Sequence, residues 1–178
     1  MTEQQKEIKT IKERNIVVKL SDADCKRISD LCGEHNLKVG ELLENFIGDL
    51  VGGTYTNGSD ERMYARQYFE RCWFGMFPEK TLLNFLLSGW EFDLDRFMDL
   101  LEQLEDNRAD LEEYEKNPEG HDWDLEEIEF LKTDIEDLEN ELAEIKQAFF
   151  KENEKADWEK EVENVKKFVE EREQLVNG

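Results

Sequence analysis

The sequence predicts a mainly α protein with one short N-terminal strand, and three observations carry that prediction. Apolar residues recur at alternating steps of three and four through the last half of the chain. Cap-type residues, such as Ser21 before and Gly52-Gly53 after, bracket the periodic stretches. A single short β-branched run, NIVVKL at 15–20, reads as a strand. The expected organisation is a basic arm, strand and two helices over 1–53, a helical middle segment over 54–91, and an acidic helical domain over 92–178. The last domain is expected to be an antiparallel helical hairpin plus a third helix.

Residues 1–14 form a weakly helical arm, locally basic through Lys6, Lys9, Lys12 and Arg14. After the strand, Ser21 offers an N-cap and Asp24 sits where a capping-box acid belongs. The first helix carries Ile28, Leu31 and Cys32 on one face and ends at His35-Asn36. A second carries Leu42, Leu43, Phe46, Ile47 and Leu50, and Gly52-Gly53 stop it. TYTNGSDE (54–61) is a turn-rich linker. A helix over 61–75 offers Met63, Phe69, Cys72 and Trp73 as core, with Gly75 as its breaker. Pro78 suits the first turn of the next, almost wholly apolar helix, which Ser88-Gly89 end. Then Leu94, Phe97, Leu101, Leu104 and Leu111 form a seam in which Arg108 takes one position. NPEGHDWD (117–124) breaks it, and the chain is expected to fold back there. Ile128, Leu131, Ile135, Leu138, Leu142, Ile145 and Phe149 form a heptad seam, and Trp158, Val162, Val165 and Val169 start another.

Charge is the most unequal property along the chain. The net is -23 over 178 residues, whereas a soluble domain needs only about 2–8 in magnitude. Residues 1–53 carry 10 acids and 8 bases, and residues 100–178 carry 28 and 10. Aromatic content of 11% argues against a disordered acidic tail. No run of 18 apolar residues occurs, so no transmembrane helix and no membrane partner are expected. The charged N-terminus lacks an apolar signal core. Cys25, Cys32 and Cys72 are an odd count in no ligand spacing, and read as buried thiols, which points to a reducing cytoplasm.

Residues 15–53, through NIVVKLS, LCGEHNLKV and GELLENFIGDLV, resemble the ribbon-helix-helix family. That resemblance implies a homodimer in which the strand pairs with its copy. It also implies that Asn15, Val17 and Lys19 project outward toward DNA while Ile16, Val18 and Leu20 face the core. Asn15 and Lys19, with Arg14 beside them, are the candidate DNA contacts over 14–20. The helices add Asp22, Asp24, Asp30, Glu34, Glu41, Glu44 and Asp49, a surface that repels phosphate. The alternative is a ribbon that serves only to dimerise.

Residues 102–144 hold 19 acids and 3 bases. A helix over 125–150 would be about 39 Å long, and a hairpin of that length carrying the net -16 of residues 102–144 has one net charge per ~2.4 Å, against one per ~1.7 Å of duplex DNA. Asp134/Asp137, Glu136/Glu139, Asp137/Glu141 and Glu141/Glu144 lie three or four apart, and each such pair costs about 0.2–0.5 kcal/mol. A coil built for stability alternates signs instead. A solvated helix face is the plain alternative. The stronger reading is a nucleic-acid mimic whose carboxylates block a cationic groove. The segment YARQYFERCWFGMFPEKTLLNFLL, with the acidic helical tail after a ribbon-helix-helix-like start, resembles phage-borne anti-CRISPR inhibitors of the type II effector nuclease. The resemblance implies an RNA-guided DNA nuclease as partner, one that reads a short DNA flank with arginines and holds nucleic acid in a positive channel.

Other chemistry finds no support. His35 and His121 lack ligand partners at metal spacing, and no calcium loop or phosphate-binding glycine loop occurs. No hydroxyl or thiol is paired with a base, so no catalytic residue and no cofactor are assigned and the chain is expected not to be an enzyme. Trp73, Phe74, Phe77, Trp90 and Phe92 read as core; Trp123 and Trp158, flanked by acids, read as exposed contacts. The expected contact for a basic nucleic-acid-binding protein is the hairpin tip: Asp122, Trp123, Asp124, Glu126, Glu127 and Glu129, with Glu112 and Glu113 across the turn. The alternatives are a ribbon-helix-helix regulator of phage or mobile-element genes, with the acidic coil for assembly, and a structural adaptor.

Overall fold

The computed structural model describes residues 1–54, 56, 58–89, 92–117 and 125–178. Among these the chain is mainly helical, with nine helices and no strand. It divides into two compact units, Met1–Pro78 with Glu173–Gly178, and Glu79–Arg172.

In the first unit, α1 (Glu3–Ile8) is closed by a capping box in which Thr2 and Gln5 exchange hydrogen bonds of 3.2 and 3.0 Å. Helix α2 (Asp22–Gly33) starts as its sequence requires, with the Ser21 hydroxyl accepting from the Asp24 N–H at 3.1 Å. Asn36 adopts a φ of 57°, which turns the chain into α3 (Val39–Val51). Gly52, at φ 65°, stops α3 in the left-handed conformation that glycine enters without steric cost. Helices α4 (Ser59–Arg71) and α5 (Trp73–Met76) follow.

Three expectations in this unit are corrected. Residues 15–20 are not a strand: a strand exists only where a neighbour shares its backbone hydrogen bonds, and none of the described residues does so. Ile16, Val18 and Leu20 are therefore exposed instead of facing a core, and Val17 is 92% exposed. The helical break falls at Cys72, three residues before Gly75. Gly75 instead allows a close approach, since a Cβ there would lie 2.1 Å from the Phe69 carbonyl oxygen. Met63, Phe69, Trp73, Phe74 and Phe77 are all exposed, not core.

The basic arm docks on the C-terminal end of α9 (Trp158–Asn177), whose last residues belong to this unit. Lys12 Nζ donates to the Asn177 carbonyl at 3.0 Å, and Arg14 donates to the carbonyls of Val176 and Thr10. Cations suit a helix C-terminus, where carbonyls lack partners.

In the second unit, α6 (Leu82–Ser88), α7 (Leu94–Lys116), α8 (Leu125–Phe150) and most of α9 surround one core. Leu82, Leu86, Leu94, Phe97, Leu100, Leu104, Leu138, Ile145, Phe149 and Val165 form it. Helix α6 begins four residues after Pro78, which is therefore not in its first turn; Thr81 caps it, its hydroxyl accepting from the Asn84 N–H at 3.1 Å. Glu161 of α9 accepts from the Leu82 N–H at 2.8 Å. Phe97 meets Trp158 at 6.1 Å between ring centres, and Asp95 meets Arg172 at 3.0 Å. Both ends of that stretch of α9 thus reach one turn of α7, so α9 crosses α7. Trp158 is half-buried against Phe97, Phe149 and Phe150, and is not the exposed contact its acidic neighbours implied. Trp90 lies outside the described residues. Among the described residues no helix is long and apolar enough to cross a membrane.

Candidate functional site: the acidic helix pair

The site grows from the α7–α8 pairing. Asp93 caps α7 by accepting from the Arg96 N–H at 2.8 Å, which fixes where the helix starts. Arg96 then donates two hydrogen bonds to Glu141, at 2.8 and 2.6 Å. About three turns further along α7, Asn107 meets Asp134 at 2.6 Å and Arg108 meets Glu139 at 2.5 Å. Moving forward along α7 from Arg96 to Asn107 moves backward along α8, so the helices run antiparallel. Arg108 is exposed and bridges helices; it does not sit in the apolar seam.

These contacts sort the carboxylates of α8 into two sets. Asp134, Glu139 and Glu141 flank the seam and are spent on register. Glu129, Glu136, Asp137 and Glu144 occupy the two adjacent heptad positions on the outer face. All four are exposed, and their carboxylates have no hydrogen-bond or ion-pair partner among the described residues. The stripe runs roughly 22 Å along the helix. On α7, Glu102, Glu105, Asp106, Asp110 and Glu115 are likewise exposed and unpaired among the described residues.

Where the stripe passes the start of α7 it borders a groove of about 410 Å³ lined by Phe92, Asp93, Arg96, Asp137, Asn140, Glu141, Glu144 and Ile145. Arg96 holds the Glu141 carboxyl below the usual range, chiefly through their hydrogen bonds and against a partial burial that opposes it. The same hydrogen bonds raise Arg96. The groove lining offers carboxylate acceptors to an arriving ammonium or guanidinium.

The expected tip residues are only partly placed. Glu112 is exposed in the last turn of α7 and paired with Lys116 at 2.5 Å, which lowers its pKa. Glu113, Glu126 and Glu127 are exposed, and none of them is free. Asp122, Trp123 and Asp124 lie outside the described residues, as does His121. On the arm, Arg14 is committed to α9, while Asn15 and Lys19 are exposed on an irregular segment. Sequence reasoning missed Asp137 and Glu144 as site residues. The like-charge neighbours over 134–144 were visible, but 122–129 is just as acidic, so spacing alone did not single out Asp137 and Glu144. No family model, curated protein or solved structure matches this chain.

Proposed function

We propose that the chain is a non-enzymatic inhibitor that presents its acidic helix pair to the basic nucleic-acid groove of another protein, acting inside a bacterial host. The observation that carries this reading is the sorting on α8. Arginines and an asparagine bond the carboxylates that set register, while those of the outer stripe, Glu129, Glu136, Asp137 and Glu144, make no hydrogen bond or ion pair among the described residues. A helix optimised for its own stability places opposite charges at those positions. Uncompensated carboxylates suit a partner whose cations are already clustered, as in a nucleic-acid channel. An RNA-guided DNA nuclease fits that description, and it is the partner the anti-CRISPR resemblance implies.

The test is competition. The chain should bind such a nuclease with an affinity that falls steeply as salt rises, and should displace its DNA. Asp137→Lys with Glu144→Lys should weaken binding by tenfold or more. Binding that ignores both salt and charge reversal would remove the basis of the reading. The regulator reading, by contrast, predicts a shift of operator DNA that is lost on Lys19→Ala. It draws less support, because Lys12 and Arg14 already spend donors on the end of α9.

A further inference from the structure

The two units differ in how well they close. Among its described residues the second buries eleven apolar side chains, while the first, of similar length, buries two, Cys32 and Ala65. Conversely, 23 of the 25 large apolar side chains exposed among the described residues lie in the first unit. A unit with so small a core is marginal by itself, and exposed apolar surface on this scale marks a contact.

The exposed side chains are not scattered. Phe46 of α3 meets Tyr68 of α4 at 5.9 Å, Phe69 meets Phe74 at 5.1 Å, and Trp73 meets Phe77 at 4.5 Å. Tyr68-Phe69 and Trp73-Phe74 are neighbours in the chain, so the three ring pairs lie along one run of sequence from α4 through α5, with Phe46 of α3 against its start. Their exposures range from 38% for Phe46 to 76% for Trp73. With aromatic side chains of about 150–250 Å² each, the run leaves roughly 600–700 Å² uncovered. That is most of the ~800 Å² each partner contributes to a standard interface.

We infer that this aromatic face, formed by Phe46, Tyr68, Phe69, Trp73, Phe74 and Phe77, is where two copies of the chain meet. Charge selects the occupant. The first unit carries 14 acids and 11 bases, a net of -3, against -20 for the second. A second copy can approach the first unit with little repulsion, and nothing about that face favours the cations that suit the acidic helices. A copy of the chain is also available whenever the unit folds, as its small core requires. The surface differs from the one the ribbon resemblance implies, which places self-association on residues 15–20. It does not depend on the inhibitor reading.

The experiment is sedimentation from sub-micromolar to near-millimolar chain, joined to thermal melting over the same range. The expected mass is twice that of the chain, and the melting temperature of the intact protein should rise with concentration. Trp73→Ser and Phe74→Ser should each raise the dissociation constant by roughly 30-fold or more, the loss expected of an aromatic hot spot. Ile16→Ser with Val18→Ser should leave it unchanged. A chain that stays monomeric with a concentration-independent melting temperature overturns the proposal and leaves the face to a different protein. So does a dimer that survives the aromatic changes, or one abolished by the changes at Ile16 and Val18 alone.

Discussion

Neutralising two carboxylates of the outer stripe should make the protein more stable. In Asp137→Asn with Glu144→Gln, neither side chain loses an ion pair or hydrogen bond among the described residues. What disappears is repulsion: Asp137 lies three residues from Asp134 and four from Glu141, and Glu144 lies three from Glu141. Three like-charge contacts at about 0.2–0.5 kcal/mol each give a gain of roughly 0.6–1.5 kcal/mol. Arg96 draws off part of the Glu141 charge, which favours the lower half of that range. For a unit of under a hundred residues this is a rise in melting temperature of about 3–6 °C. The assay is thermal unfolding followed by helical circular dichroism at low salt, repeated at about 1 M salt, where a Debye length near 3 Å should remove most of the gain. A melting temperature that is unchanged or lower at low salt would refute the argument, as would a gain that salt does not touch. The same variant should bind a cationic groove less well, so stability and binding should move in opposite directions.

Other changes separate the core from the surface. Phe97→Ala removes a fully buried ring and should cost about 3–5 kcal/mol, read as a large fall in the urea midpoint, while Phe130→Ala, at a 74% exposed position, should stay within about 0.5 kcal/mol of the parent. The Arg96–Glu141 bridge sets a pH dependence. Because the folded chain lowers the Glu141 pKa, the bridge stabilises fully above the ordinary carboxylate range and is lost as pH falls through the lowered value. The melting temperatures of the parent and Glu141→Gln should therefore differ at neutral pH and converge in acid.

Much of the helical order was legible, and for local reasons. Ser21 caps α2, Gly52 ends α3, and the heptad seam from Ile128 to Phe149 marks α8, because caps and periodicity act within a few residues of themselves. The failures lie where structure depends on what arrives from elsewhere. Asn15–Leu20 has strand composition, but strand geometry requires a partner that the described residues do not supply. Trp73, Phe74 and Phe77 have the composition of a core, yet they stay exposed among the described residues, since a pattern of apolar residues says which face is sticky and not whether it is met. Trp158 errs the other way, because its acidic neighbours hid an aromatic cluster contributed by α7 and α8. Arg108 fits the seam by spacing, but its guanidinium reaches across to Glu139. For the site, net charge was visible from the start. Which carboxylates are spent on register required knowing that residue 96 faces residue 141.

The distribution of charge also constrains where self-association can occur. A surface with the net of -20 carried by Glu79–Arg172 repels its own copy, and the uncompensated stripe on α8 is the part least able to be brought against another of its kind. That stripe is tolerated because the same unit buries Phe97 and Phe149 completely, each worth about 1.5–3 kcal/mol, against fractions of a kcal/mol for each repulsive pair. The first unit has the opposite settings, with little charge to repel and little core to stand alone on. Moving carboxylates onto the aromatic face would add repulsion to the one surface suited to a copy. Moving the aromatics onto α8 would place a dimer contact where charge forbids it. If two copies meet through the aromatic face as inferred, segregating the two properties would let one chain self-associate while staying polyanionic, and the dimer would carry two acidic helix pairs to any target with two basic sites.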